Sequence, residues 1–185
     1  MTKPIRCPWV GNLPIYLDYH DNEWGKPQFD NQKLFEKLCL EGQQAGLSWI
    51  TVLKKREAYR QAFHHFEPER VAKMTVLDLD RCMQNEGLIR HHAKLEAIVK
   101  NAKAYLAMEK CGENFSDFIW SFVNHQPIIN DVPDLRVVPA KTDVSEALSK
   151  ALKKRGFVFV GATTCYAFMQ SMGLVNDHLN DCCCK

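Results

Sequence analysis

The stretch from Asp143 to Gly173 constrains the fold more than any other part of the chain. Val144, Ala147, Leu148, Ala151 and Leu152 recur at helical spacing and make one apolar stripe, with Asp143 and Glu146 as a capping pair ahead of it. Lys153, Lys154 and Arg155 suit the negative end of a helix dipole, and Gly156 is placed to take the left-handed conformation that closes a helix. Six residues, Gly156 to Gly161, then lead into a second helix running through Tyr166, Phe168 and Met169 to Gly173. The pattern predicts a helix, a glycine-bounded turn and a second helix. Such a turn leaves backbone N–H groups free at the start of the second helix, a natural seat for a phosphate. From Lys141 to Gly161 there are five basic residues (Lys141, Lys150, Lys153, Lys154, Arg155) against two acidic ones (Asp143, Glu146), an excess of three. Packing alone also explains these features, because short glycine turns join helices in many proteins and basic residues favour helix ends. Gly87 to Lys94 is a second, poorer candidate of the same kind.

The rest of the chain reads as helical too. Asn31 can cap a helix burying Leu34, Phe35, Leu38 and Cys39, with Gly42 ending its regularity. Gln43 to Leu47 reads as a connector, and Ser48 caps a helix that buries Trp49, Val52, Leu53, the stem of Arg56 and Phe63. Thr75 and Asp78 resemble a capping box for a helix ending near Gly87. Leu95, Ile98, Val99, Ala102 and Leu106 form the longest periodic run, with Gly112 just past its end. Asn114 and Asp117 start another helix. His125 to Lys141 holds three prolines and reads as a loop, in which Pro127-Ile128-Ile129 is too isolated to build a sheet. The fold class is all-α, a single domain over 1–185 with two helical lobes.

With 185 residues and 46% hydrophobic content, the chain can bury a real core. A net charge of +2 means that any attraction to nucleic acid must be local. Met1 to Arg6 lacks the apolar run of a leader and no segment approaches a bilayer span, so a cytoplasmic location is expected, with no membrane partner. In that reducing compartment eight cysteines point to free thiols or metal ligands rather than disulfides.

Four of the candidate ligands lie at the two ends of the chain. Cys7 and His20 are separated by twelve residues, His178 and Cys182 by three; each pair is a plausible half-site for zinc. Together they make a closed tetrahedral set, which is structural and would pin the termini together. The plainer reading is a buried thiol and a satisfied core histidine at each end. Among Cys182, Cys183 and Cys184, spacing favours Cys182. Trp9, Tyr19, Glu41 and Trp49 come from three segments. Indole faces can stack on a flat cationic ring for about 1–2 kcal/mol once water is removed, and Glu41 can accept hydrogen bonds from a polar edge. They could equally be core residues and a solvated helix end.

Several longer strings carry a resemblance. Cys7-x-Trp9, Tyr19-His20-Asp21-Asn22-Glu23-Trp24-Gly25, the run from Leu40 to Trp49, Ser121 to His125, Leu152 to Phe157 and Gly173 to His178 resemble the 3-methyladenine DNA glycosylase I family, in order from Cys7 to Cys182. The resemblance implies the helix-hairpin-helix glycosylase fold, with two lobes around a base-binding cleft and a hairpin, at about 143–173, that binds DNA backbone through Lys153, Lys154, Arg155, Gly156 and Gly161. It implies one structural Zn2+ held by Cys7, His20, His178 and Cys182. It also implies a pocket in which Glu41 and Tyr19 hydrogen-bond the base, Trp49 stacks on it and Trp9 closes the other side, Glu41 being the catalytic-site carboxylate.

The expected reaction is flipping and hydrolytic removal of 3-methyladenine from double-stranded DNA, leaving an abasic site without strand cutting. The expected state is a monomer with no obligate protein partner. Asp177 lies where related glycosylases carry an aspartate, but its neighbour His178 suggests that it orients that ligand instead. The competing class is a non-catalytic, zinc-stapled DNA-binding module, which leaves Glu41 without a purpose.

Overall fold

Among the residues that this computed structural model describes, 4–185, there are nine α-helices and two very short strands. The residues Met1 to Lys3, part of the stretch read as lacking a leader, lie outside them. The helices are α1 (Pro14–Asn22), α2 (Asn31–Gln43), α3 (Trp49–Ala62), α4 (Pro68–Val71), α5 (Val76–Gln84), α6 (His92–Lys110), α7 (Phe115–Ser121), α8 (Asp143–Lys154) and α9 (Ala162–Ser171). Strands β1 (Ile128–Ile129) and β2 (Val175–Asn176) pair in parallel. The all-α expectation holds, with one correction. Ile128 and Ile129 do pair, because the chain returns beside them at Val175 some 50 residues later. Among the described residues, no helix is long and apolar enough to cross a membrane.

Helix α2 packs against α3, α6 and α9, and its face of Leu34, Phe35 and Leu38 is fully buried. Its cap is Asp30, whose carboxylate accepts from the Lys33 N–H at 2.8 Å. Asn31, expected as the cap, instead accepts from the Ser116 N–H at 2.7 Å and ties the start of α7 to α2. Gly42 does not stop the helix either, which runs on to Gln43. A Cβ there would lie 3.2 Å from the Cβ of Phe159, so the missing side chain lets the α8–α9 turn press against the last turn of α2. Glu41 is thereby inside a helix and buried rather than at a solvated end.

The hairpin forms as expected, with its cap one residue earlier. Thr142 and Ser145 exchange the capping-box bonds, and Glu146 pairs with Lys141 at 2.6 Å instead. Gly156 has φ +92°, the left-handed close predicted for it. Asn101 on α6 brackets the turn, accepting from Val158 N–H and donating to Val158 C=O, while Ser149 donates to Val160 C=O at 2.6 Å. The Thr75–Asp78 box, the end of α6 before Gly112 and the Asn114 cap stand as read. In the poorer hairpin candidate, Lys94 is buried and donates to the carbonyls of Gln43 and Ala45; it braces the α2–α3 connector and does not face solvent.

After α9 the chain must turn sharply to form β2. Gly173 has φ +73°, and a Cβ on it would stand 2.3 Å from the backbone of Lys26 and Pro27. Gly173→Ala is therefore expected to cost about 3 kcal/mol or more from left-handed strain plus the backbone clash, read as a lowered midpoint in urea unfolding.

Candidate active site

A cleft of about 350 Å³ opens between α1, the end of α2, the start of α3, α9 and the loop after β1. All four expected base-pocket residues, Trp9, Tyr19, Glu41 and Trp49, line it. Tyr16, Trp24, Gln44, Gln170 and Asp177 line it as well. The first helix, α1, brings Tyr16 and Tyr19 to one face by their three-residue spacing, with ring centroids 6.4 Å apart. Trp9 meets Tyr16 at 5.1 Å and Trp24 at 5.0 Å, making a continuous aromatic wall. The indole nitrogen of Trp49 is the one buried side-chain polar atom without a hydrogen-bond partner among the described residues. A buried donor left unmet is costly unless something arrives to accept from it.

Glu41 is 5% exposed, and burial pushes its carboxyl pKa up while Lys37 pulls it back. Lys37, one helical turn earlier, places its Nζ 3.4 Å from Glu41 Oε1 and donates to the Tyr19 hydroxyl at 2.6 Å. Its ammonium also lies 3.4 Å from the centroid of the Trp49 ring. One face of that indole is therefore covered, and only the other is open for stacking. Burial brings the Lys37 pKa down to about 8, with Glu41 opposing the shift. Desolvation and the Glu41 charge together hold Tyr19 protonated far above the normal phenol range.

Asp177 is buried in the far wall and accepts from Tyr166 (2.5 Å), Asn130 (2.7 Å) and Gln170 (2.9 Å). It does not touch His178, so the orienting role read for it from sequence is replaced by a network that the β1–β2 pairing assembles.

The orienting groups for the histidines are different ones. Cys7, His20, His178 and Cys182 are all buried, with their ligand atoms within 4.8 Å of one another. His178 Nε2 faces the Trp24 carbonyl at 3.0 Å, and a carbonyl only accepts; that nitrogen therefore carries the proton and Nδ1 points a lone pair at the thiols. His20 Nδ1 faces Asp21 Oδ1 at 2.8 Å, which likewise frees Nε2. Arg6 in turn holds Asp21 well below the usual carboxylate range. The S···N separations are 3.4, 3.5 and 3.6 Å. Tetrahedral bonds of ~2.3 Å to sulfur and ~2.05 Å to nitrogen span about 3.6 Å, so these three separations match those around one shared ion. Burial lowers His178 to about 4, keeping it neutral as a ligand must be, and raises Cys7 to about 12, so that only a bound cation would ionise this thiol at neutral pH. Trp9 packs on His20 and Trp24 on His178, so the cluster supports two indoles of the cleft wall.

The hairpin borders the cleft. A shallower trough of about 220 Å³, lined by Gln44 to Leu47 on one side and Thr163 and Thr164 on the other, shares Glu41, Gln44 and Ala167 with it. The amides of Ala162, Thr163 and Thr164 precede the first bond of α9, from Cys165 N–H to Gly161 C=O. The basic residues divide unequally. Arg155 is held by Glu113 at 2.6 Å and stacks on Phe118, and Lys141 is held by Glu146. Lys150, Lys153 and Lys154 have no ion-pair partner among the described residues.

Sequence reading missed Lys37, Tyr16, Trp24, Gln44 and Gln170. The Lys37–Glu41 and Tyr16–Tyr19 spacings were there to be seen as helix-face pairs. Gln44 lay within the Leu40–Trp49 string with nothing in its spacing to single it out, and Gln170 carried no local signal.

The fold places the chain among DNA glycosylases. It superposes with a TM-score of 0.96 on a crystal structure of a 3-methyladenine DNA glycosylase I, at 60% identity, covering 97% of this chain and 99% of that one. A variant of 3-methyladenine DNA glycosylase I in complex with 3-methyladenine aligns with a TM-score of 0.94 at 44% identity, over 97% of each chain. The DNA-3-methyladenine glycosylase of Haemophilus influenzae is 83% identical over 180 residues, 97% of each chain. The profile of the Methyladenine glycosylase family matches residues 9–185, and the chain belongs to that family.

The purified protein is expected to carry one tightly held ion per chain by elemental analysis. Cys182→Ser should lose it and lower the melting temperature by several degrees, a drop that added metal does not reverse.

Proposed function

We infer that this protein is a DNA repair glycosylase that removes 3-methyladenine from alkylated DNA. The observation that carries the reading is the buried Glu41 carboxylate on the wall of an aromatic cleft, in a chain of the Methyladenine glycosylase family. A DNA-binding module without chemistry would have no use for a desolvated acid there.

Methylation on N3 makes the nucleotide's purine cationic. When the C1′–N9 bond breaks, the bonding electrons go to the base, which leaves as neutral 3-methyladenine. The positive charge passes to the sugar; water adds at C1′ and gives up a proton, leaving an abasic site. Much of the barrier is removed by the lesion itself, so the protein's work is to extrude, hold and discriminate. In this reading the base stacks on the open face of Trp49 with Trp9 opposite, Tyr19 and Glu41 meet its polar edge, and Glu41 contributes most because its attraction to the cation is felt in a water-poor site. A normal adenine offers no such charge and gains less. Glu41 is thus the principal catalytic-site residue.

The hairpin would grip phosphate through the first amides of α9 and through Lys153 and Lys154, with Gly156 and Gly161 allowing the close approach. Arg155 would contribute mainly by bracing the turn against Glu113. The four-ligand set is assigned to structural zinc, since two thiols and two imidazoles with no open position suit that ion; bound there, it ties the termini and stiffens the cleft wall. A single domain with two helical lobes flanking the cleft, acting as a monomer, is supported by a site that is complete within one chain.

Strand cutting would need an amine at C1′. The second hairpin helix opens Ala162-Thr163-Thr164-Cys165, and Lys37 is screened by Tyr19 and Trp49, so hydrolysis alone is expected. Borohydride should trap no protein–DNA adduct. Chromatographic assay of bases released from alkylated DNA should show 3-methyladenine, with kcat/KM falling roughly 10- to 100-fold in Glu41→Gln or Trp49→Ala. Because burial raises the Glu41 pKa, activity should fall on the acid side at a pH above the usual carboxylate value of about 4.3, and this limb should vanish in Glu41→Gln. Undiminished release by Glu41→Gln would remove the basis of the reading.

A further inference from the structure

We propose that Lys37 is the positioning residue of the base cleft, holding Glu41 ionised, Tyr19 oriented and Trp49 fixed from behind, without touching the base. The proposal rests on Glu41 being the carboxylate that holds the base, and it deepens that reading.

Three contacts converge on one buried amine. Lys37 Nζ lies 3.4 Å from Glu41 Oε1, 2.6 Å from the Tyr19 hydroxyl and 3.4 Å from the Trp49 ring centroid, 4.6 Å from that of Tyr19. These partners come from α2 itself, α1 and α3, and all three line the cleft, whereas Lys37 does not. A methylene-rich apolar residue would have filled the same space, so the charge needs a reason. The amine fixes the Tyr19 hydroxyl as an acceptor from Lys37, leaving its own proton free to point elsewhere. It also covers one face of Trp49, so a base has a single stacking surface.

The charges facing Glu41 single out Lys37. Ser171 on α9 donates its hydroxyl proton to the Phe168 carbonyl at 2.9 Å, and Tyr16 and Tyr19 on α1 are neutral phenols. Asp177, on the opposite wall, is already satisfied by three donors. Glu23 and Arg56 neutralise each other behind Lys37 at 2.5 and 2.8 Å. Among the described residues, Lys37 is then the cation within contact distance of Glu41. Without it, burial would leave the carboxyl protonated and unable to attract a cationic purine.

A second cavity, of about 400 Å³, lies on the other side of Lys37 and is lined also by Glu23, Glu36, Arg56 and Arg60.

The test is the pH profile of kcat/KM on alkylated DNA for the parent, Lys37→Met, Glu41→Gln and the double variant, each with its melting temperature and metal content. Methionine keeps the length and removes the charge. Losing a positive neighbour disfavours the Glu41 anion, so the acid limb of Lys37→Met should move up by about one pH unit or more. A one-unit shift means up to about tenfold lower excision on that limb, with recovery as the pH rises. In the Glu41→Gln background the same change should move no limb. A profile for folded Lys37→Met that superposes on the parent's overturns the proposal, while Glu41→Gln with normal activity overturns instead the reading beneath it. If Lys37→Met does not fold, carbon NMR of Glu41 in the parent decides. An ionised carboxyl at pH 7 whose resonance also responds as Lys37 loses its proton supports the proposal; a protonated carboxyl, or no response, overturns it.

Discussion

A carboxylate taken out of water must be paired, protonated or about to receive a cation, and Glu41 ties the first of these conditions to the last. Desolvation strengthens the attraction of Glu41 for any cation that reaches it, and the same desolvation would neutralise it were Lys37 not beside it. The walls around the pair follow from this requirement. Helix α1 supplies phenols rather than further charges, α3 supplies an indole, and α9 lines another side with Ala167 and Gln170. In the proposed reading, a purine that carries a charge would gain from the site and a neutral one would gain mainly stacking.

Holding such a cleft open in so small a protein demands rigid supports at its rim. One support is the junction of the chain ends. Cys7 and His20 meet His178 and Cys182 across more than 150 residues of sequence, and their immediate neighbours Trp9 and Trp24 become part of the cleft wall. The other is the packing of the hairpin turn on α2. Gly42 admits Phe159 directly beside Glu41, so the element that borders the trough and the residue that lines the cleft are fixed in one contact. In the proposed reading, position along a duplex and position of an extruded base would thereby be linked by steric contact.

Charge shows the same economy of placement. The net charge of the whole chain is small, yet among the described residues Lys150, Lys153 and Lys154 have no ion-pair partner while Arg155 and Lys141 are drawn into ion pairs. Counting basic residues along a segment therefore overstates the field that a ligand meets. What matters is which of them the fold leaves without a carboxylate, since exposed unpaired ammonium groups attract a phosphate backbone and paired ones largely do not.

Much of the secondary structure was legible in the chain because it rests on short-range rules. Helical periodicity, the Thr75–Asp78 box, the Asn114 cap and the left-handed Gly156 depend on neighbours within a turn or two, which the sequence displays. The longer strings further implied a family, and with it the residues to look for in the cleft and at the termini. Tertiary structure alone decided the rest. It moved the α2 cap to Asp30 because Asn31 had a partner 85 residues away, carried α2 through Gly42 because Phe159 presses there, and turned Asp177 away from His178 toward Tyr166, Asn130 and Gln170. It also made a buried lysine part of the site. Contacts between distant segments have no spacing to read, and the desolvation that gives Glu41 and Lys37 their chemistry exists only once those segments have closed over them.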